Sequence, residues 1–230
     1  KNLYKYIVDA NGNLVYNSSG GCNINVKCPE GDDWCNQRRS VALIALLSSI
    51  PGDYVAHCSG ALIMNERNDN RPYFLTANHC ITGKNVSDFI FIFNYQSQDC
   101  QIPANSPSTA YSISGATLRA NNSNSDFALL ELSSRPPGNY NTFYSGWTNE
   151  NVRPEGNGVG IHHPSGDIKK ISVYDDNKPT RDTKDLGNGP AKCWKINQWE
   201  KGVTEGGSSG SPLFAPNGLI VGQLYGGESA

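Results

Sequence analysis

Apolar residues in this 230-residue chain come in short runs, the longest being Val41 to Leu47, and Gly, Asn, Ser and Pro fill the stretches between them. Such runs predict strands at Val41 to Leu47, Gly60 to Met64, Tyr73 to Thr76, Asp88 to Tyr95, Phe127 to Leu132, Gly158 to His162, Ile168 to Tyr174 and Leu219 to Tyr225. Phe89-Ile90-Phe91-Ile92-Phe93 is apolar at every position, which predicts a strand buried on both faces. No helical periodicity of comparable length appears, and no internal repeat. Many short strands joined by turn-rich loops read as a sandwich or a barrel, and strand order alone does not choose between them. The loop-rich middle, Asn105 to Ser125 and Arg135 to Asn157, leaves room for a linker between two halves. The polar stretch Asp175 to Ala191 reads as a long surface loop of the kind that carries specificity.

Composition narrows the function classes. The net charge is -2 and only 17% of residues are charged, with no lysine or arginine run, so no electrostatic footprint for nucleic acid or an anionic membrane is present. No stretch approaches the roughly 18 apolar residues of a membrane span. The chain opens at Lys1 without a basic-then-apolar leader, which implies that a signal and pro-segment were removed or left out. Seven cysteines (Cys22, Cys28, Cys35, Cys58, Cys80, Cys100 and Cys193) are dispersed without a C-x-x-C pair, a pattern suited to disulfides in a secreted, extracellular protein rather than a metal cage. The odd count leaves one thiol free or bonded outside the chain.

Three local patterns then carry chemistry: Thr76-Ala77-Asn78-His79-Cys80, Ser125-Asp126-Phe127-Ala128-Leu129, and Gly206-Gly207-Ser208-Ser209-Gly210-Ser211-Pro212. Singly, each has an ordinary structural reading: a satisfied histidine, a strand-start aspartate, a Gly/Ser turn. Together they supply the parts of nucleophilic catalysis. A serine hydroxyl needs a base to take its proton, and imidazole is suited by a pKa near neutrality. A carboxylate on the other ring nitrogen fixes the tautomer and stabilises the imidazolium. A Gly-x-Ser turn offers the N–H groups of Gly207 and Ser209 to an oxyanion. Ser209 is therefore the candidate nucleophile, His79 the base and Asp126 the orienting carboxylate. His162 and His163 invite a metal reading, but adjacent strand residues point to opposite faces and no His-Glu-x-x-His helix exists. Neither a metal nor another cofactor is expected, and both histidines are assigned structural or pocket-wall roles.

The order His, Asp, Ser resembles chymotrypsin-like serine endopeptidases, and a closer likeness to the bacterial lysyl endopeptidase branch covers almost the whole chain. It rests on Asn23 to Asp32, Tyr73 to Ala77, Phe93-Asn94-Tyr95, Ser125 to Leu132, Ile161-His162-His163-Pro164, and Gly202-Val203-Thr204-Glu205 through Gly222-Gln223-Leu224. The resemblance implies an all-β fold of two packed antiparallel β-barrels in a single protease domain spanning 1–230. The first barrel is expected at about 36–134 and the second at about 150–230, with the active site at their seam. It implies an endopeptidase acting on polypeptides, after Lys, as a monomer without nucleic-acid or membrane partners. The edge Tyr225, Gly226 and Gly227 is expected to pair with substrate backbone. The branch's disulfides would be Cys28–Cys100 and Cys58–Cys80, with Cys22 bonded to a cysteine near the C-terminus. Cys35 and Cys193, outside that scheme, are predicted to pair with each other. The branch's lysine-binding aspartate lies downstream of Gly226-Gly227, so the expected end of the second barrel, and that residue with it, would fall beyond Ala230. Two departures stand out. Ser208 stands where animal trypsins carry the aspartate that pairs with a freed N-terminus, so that insertion switch is expected to be absent. Tyr225 takes the place of a histidine that the branch stacks on a tryptophan. The rival readings are the same fold with Glu or Arg specificity, and a non-catalytic homologue that binds polypeptide.

Overall fold

The computed structural model describes residues 17–47, 54–150, 154–176, 178–185 and 189–227. Residues 1–16 and 228–230, which the single-domain reading includes, lie outside the described residues. The strands are β1 (Ile24–Asn25), β2 (Val41–Leu47), β3 (Tyr54–Ile63), β4 (Tyr73–Ala77), β5 (Phe89–Phe93), β6 (Ser112–Ser114), β7 (Ala116–Asn122), β8 (Phe127–Leu132), β9 (Gly158–His162), β10 (Lys170–Tyr174), β11 (Thr180–Asp185), β12 (Pro190–Lys195), β13 (Pro212–Phe214) and β14 (Ile220–Gln223). The α-helices are short, α1 (Cys35–Ser40) and α2 (Asn78–Ile81).

One antiparallel sheet has the order β6-β5-β2-β3-β4-β8-β7. Its two edge strands, β6 and β7, are separated in sequence by Gly115 alone, at φ +82°. A one-residue link between opposite edges requires the sheet to curl until the edges approach, and the positive φ explains why glycine makes that corner. Gly115 N–H donates to Phe89 O, and Gly115 O accepts from Ser133 N–H, tying the corner to both flanks. The second sheet runs β1-β10-β9-β13-β14, so a strand from the N-terminal segment completes its edge. The described residues are thus all-β, built on two large curled antiparallel sheets, with β11 and β12 forming a separate two-stranded sheet.

Strand β5 shows how the pattern becomes a core. Phe89, Phe91 and Phe93 enter one buried cluster with Ile44, Leu62, Phe74 and Leu130, while Ile90 and Ile92 enter another with Leu43 and Ile168. The period-two alternation puts successive side chains on opposite faces, and both faces are covered. A third cluster joins Val41, Ala61, Ile63 and Leu75 of the first sheet to Val159, Ile161, Ile171, Phe214 and Ile220 of the second. Hydrophobic burial therefore fuses the two halves along a seam, and the candidate site lies on it.

Two stretches read as loops are strands. Ala116–Asn122 pairs with β8, yet almost all of it is exposed, so it carries no apolar alternation for a sequence pattern to catch. Within Asp175 to Ala191, Thr180–Asp185 and the start of Pro190–Lys195 are the paired strands β11 and β12, whose cross-strand pair Arg181–Trp194 places the guanidinium 5.2 Å from the ring centroid. Cys28 is bonded to Cys100 and Cys58 to Cys80. The predicted Cys35–Cys193 bridge is not formed. The hairpin carrying Cys193 is its own two-stranded sheet, and the Cys193 thiol donates to Asp182 O across it. Cys35, at the start of α1, donates instead to Asp32 O one turn back. Cys22 is an exposed thiol.

Lys169 is fully buried and its ammonium donates to Arg38 O at 2.7 Å. Burial, with a smaller push from the Arg38 charge, lowers its pKa to about 7. The unfolded chain, where the group has its ordinary value of 10.5, then binds the proton more tightly, so this group makes stability rise with pH between about 7 and 10.5. A Lys169→Met variant should lack this rise, which amounts to at most ~1.4 kcal/mol per pH unit. Urea unfolding of both proteins at pH 7 and pH 9.5 measures it; equal pH dependence would contradict the assignment.

Candidate active site

His79 lies in α2, the single turn that follows β4, and Asp126 immediately precedes β8, the neighbour of β4. Strand pairing thus brings two residues 47 positions apart together. Asp126 Oδ2 sits 2.7 Å from His79 Nδ1, and Oδ1 accepts the His79 backbone N–H at 2.8 Å. Both carboxylate oxygens are used on one residue, which fixes the imidazole's orientation and favours a proton on Nδ1. The Asp126 side chain is nearly sealed from solvent, whereas that of His79 is 40% exposed. Asp126 holds φ +51°, a left-handed conformation that Asp tolerates better than most residues. Its carbonyl is clamped on two sides, by Asn78 N–H at 2.8 Å and by Gln223 Nε2 at 2.7 Å.

The serine turn comes from the second half and is pinned peptide by peptide. Gly206 O accepts Ser165 N–H, Gly207 O accepts the Ser59 hydroxyl, and Ser208 O accepts Ser211 N–H. Ser208 N–H donates to Glu205 O and Gly210 N–H to Leu224 O. The N–H groups of Gly207 and Ser209 have no acceptor among the described residues. In a trans peptide the N–H and C=O point in opposite directions, so the bonds to Gly206 O and Ser208 O fix where those two donors aim. Gly207 at φ +92° and Gly210 at φ +79° make the turn possible. The turn is pressed on the first half: Ser209 O accepts Ser59 N–H at 2.8 Å, and the Cys80 sulfur lies 3.8 Å from the same oxygen, one residue from His79. Ser209 Oγ makes no hydrogen bond among the described residues.

A cleft of about 650 Å³ opens over this seam, lined by His79, Asp126, Thr82, Ser123, Tyr225 and Gly226 among others. The Tyr225 ring meets His79 edge-on, with centroids 5.7 Å apart. It thus contacts the imidazole face-to-edge rather than stacking upon it. His162 and His163 are fully buried behind the turn and do not line the cleft. Among the described residues one set of potential metal donors converges, Cys58, His79 and Cys80, and its two sulfurs are bonded to each other, which removes the thiolates a metal would need.

Residues 16–230 match the model of the family described as "Lysyl endopeptidase, C-terminal domain". This chain belongs to that family. The lysyl endopeptidase of Pseudomonas aeruginosa is 30% identical over 234 residues, covering 93% of this chain and 47% of the relative. The chain therefore spans about half the length of the curated relative it matches. Its fold is shared with the active form of the Rv3671c protease from M. tuberculosis (TM-score 0.53, 18% identity, 83% of this chain and 71% of that one). The protease Anisep from Arthrobacter nicotinovorans gives TM-score 0.53 and 19% identity over 83% of this chain and 85% of that one. The fold is that of the trypsin- and chymotrypsin-like proteases.

Sequence reading missed two supports of this candidate site. Ser59 bonds both Gly207 O and Ser209 O, and its only local signal is that it follows Cys58, the disulfide partner of Cys80. Gln223, read only as part of a matching segment, reaches from β14 across the seam to Asp126 O. A Gln223→Leu variant keeps the bulk and loses the donor, and should lower kcat about tenfold through looser placement of Asp126. Steady-state kinetics on a peptide substrate, with a thermal melt to exclude unfolding, checks this.

Proposed function

We propose that this domain is the catalytic part of a secreted serine endopeptidase that cleaves after Lys through an acyl-enzyme on Ser209. The observation that carries the reading is the pairing of an oriented histidine, His79 on Asp126, with a serine turn whose Gly207 and Ser209 N–H groups are held in place and left without acceptors. As substrate docks, Ser209 Oγ and His79 Nε2 come within hydrogen-bond reach, a contact that is commonly loose without substrate. His79 Nε2 takes the hydroxyl proton while Oγ adds to the carbonyl carbon. The carbonyl π pair moves to oxygen, and the two N–H groups donate to it. Collapse expels the amine, which leaves with the proton from His79, and water repeats the sequence to free Ser209. Asp126 stabilises the imidazolium in both halves.

On this reading residues 1–230 form one protease domain, with barrels near 36–134 and 150–230, acting on polypeptides as a monomer. Tyr225, Gly226 and Gly227 form the edge that takes substrate backbone as an added strand. Lysine specificity is supported by the family description and by the name of the Pseudomonas relative. Secretion is supported by the two disulfides. Peptides that differ only in Lys, Arg or Glu before the scissile bond test the specificity. The proposal expects kcat/KM for Lys to exceed both others by at least about 10²; equal rates, or a Glu preference, would overturn it.

A further inference from the structure

The nucleophile turn has one support that the chemistry above does not use. His162, fully buried in β9, has Nδ1 2.8 Å from Ser208 Oγ and Nε2 3.0 Å from Ser172 Oγ. The direction of each bond follows from its neighbours. Ser172 Oγ lies 2.8 Å from Val203 O, and a carbonyl can only accept, so the Ser172 proton is committed there. Ser172 Oγ must then accept from His162 Nε2–H, which leaves Nδ1 bare. Ser208 Oγ already accepts Glu205 N–H at 3.1 Å, so its own proton is available for Nδ1. The result is a one-way chain, Glu205 N–H to Ser208, Ser208 to His162, His162 to Ser172, Ser172 to Val203 O. Every donor and acceptor in it is satisfied, as a buried polar network requires. Burial, helped by the Lys170 charge, lowers the His162 pKa to about 3, so the ring stays neutral and keeps this tautomer at working pH.

Ser208 is the residue between the two open donors. Its side chain is fully buried, pointing away from the cleft, and its peptide groups connect Gly207 to Ser209. We infer that His162 is a positioning residue for the nucleophile turn, an uncharged anchor that holds Ser208 and thereby aims the Gly207 and Ser209 N–H groups at the substrate carbonyl oxygen. This rests on the reading of Ser209 as nucleophile. The anchor lies wholly inside the folded second half, so the turn is set by folding and needs no charged partner delivered to it.

The test is the rate at which a fluorophosphonate forms an adduct with Ser209, together with kcat and KM on the Lys peptide. The variants are Ser208→Ala, His162→Phe, His162→Gln and the Ser208→Ala/His162→Phe double variant. Ser208→Ala and His162→Phe should each slow adduct formation and kcat by about 10- to 100-fold, short of the ~10²–10³ that loss of an oxyanion donor costs, with KM changed less than about threefold. The double variant should be no slower than the slower single, because both singles already break the shared Ser208–His162 bond. His162→Gln, whose amide offers an acceptor and a donor at similar spacing, should recover most of the rate. Absence of adduct in the wild type would sink the serine reading itself. Adduct at wild-type rate in folded Ser208→Ala would overturn the anchor alone, and does so even if His162→Phe fails to fold.

Discussion

His79→Ala should lower kcat by on the order of 10⁶ while leaving the protein folded, because without the imidazole nothing takes the proton from Ser209 and the remaining groups give only oxyanion binding. His79 contributes little to the core: it is substantially exposed, and its tight contacts are to Asp126 and the Tyr225 edge. The thermal midpoint should therefore move little. Asp126→Asn should be milder in rate, about 10⁴, since the amide can present N–H to Nδ1 and trap the wrong tautomer. It should cost little in stability, because the amide oxygen, left in the Oδ1 position, still accepts the His79 backbone N–H. A single-turnover assay with a reactive ester, paired with circular dichroism melts, separates the two effects. A His79→Ala variant within tenfold of wild type would remove the general-base role.

The second large effect is expected at Gly210. A Cβ there would run into Thr76 Oγ1 and lie 2.5 Å from Ser59 O and 2.8 Å from Ala77 N, at a residue with φ +79°. Two of those atoms are backbone of the first sheet, so the clash cannot be relieved by a rotamer change. Gly210→Ala must either push the serine turn off β4 or break the Gly210 N–H bond to Leu224 O. It should destabilise the domain by more than about 3 kcal/mol and abolish reaction with fluorophosphonate. Gly206→Ala is the control, since a Cβ there meets nothing within 4 Å and should be tolerated. Urea unfolding and adduct mass give both numbers. Full activity in Gly210→Ala would show that the turn does not sit where the packing puts it.

What was legible in the sequence follows physical rules that act locally. The runs Val41 to Leu47 and Phe89 to Phe93 announce themselves because a strand covered on both faces must be apolar at every position. Ala116–Asn122 stays silent because its order comes from hydrogen bonds to β8, and backbone pairing leaves no trace in side-chain type. The hairpin β11–β12 is silent for the same reason, and its Cys193 misled because a thiol's sequence context does not reveal which sheet it will join. At the candidate site, His79, Asp126 and Ser209 stand out since each is a residue type suited to the proposed chemistry within a short motif. Gln223 and His162 do not. Their roles exist only after folding, one across the seam to Asp126 O and the other between Ser208 and Ser172.

The proposed chemistry turns on the reactivity of one hydroxyl, Ser209 Oγ. Intact mass after fluorophosphonate treatment, run on the full chain and on Ser209→Ala, measures it. One adduct per wild-type molecule and none on the variant is the expected result. A folded wild-type protein that takes up no label, or a Ser209→Ala protein labelled as fast as wild type, would contradict it.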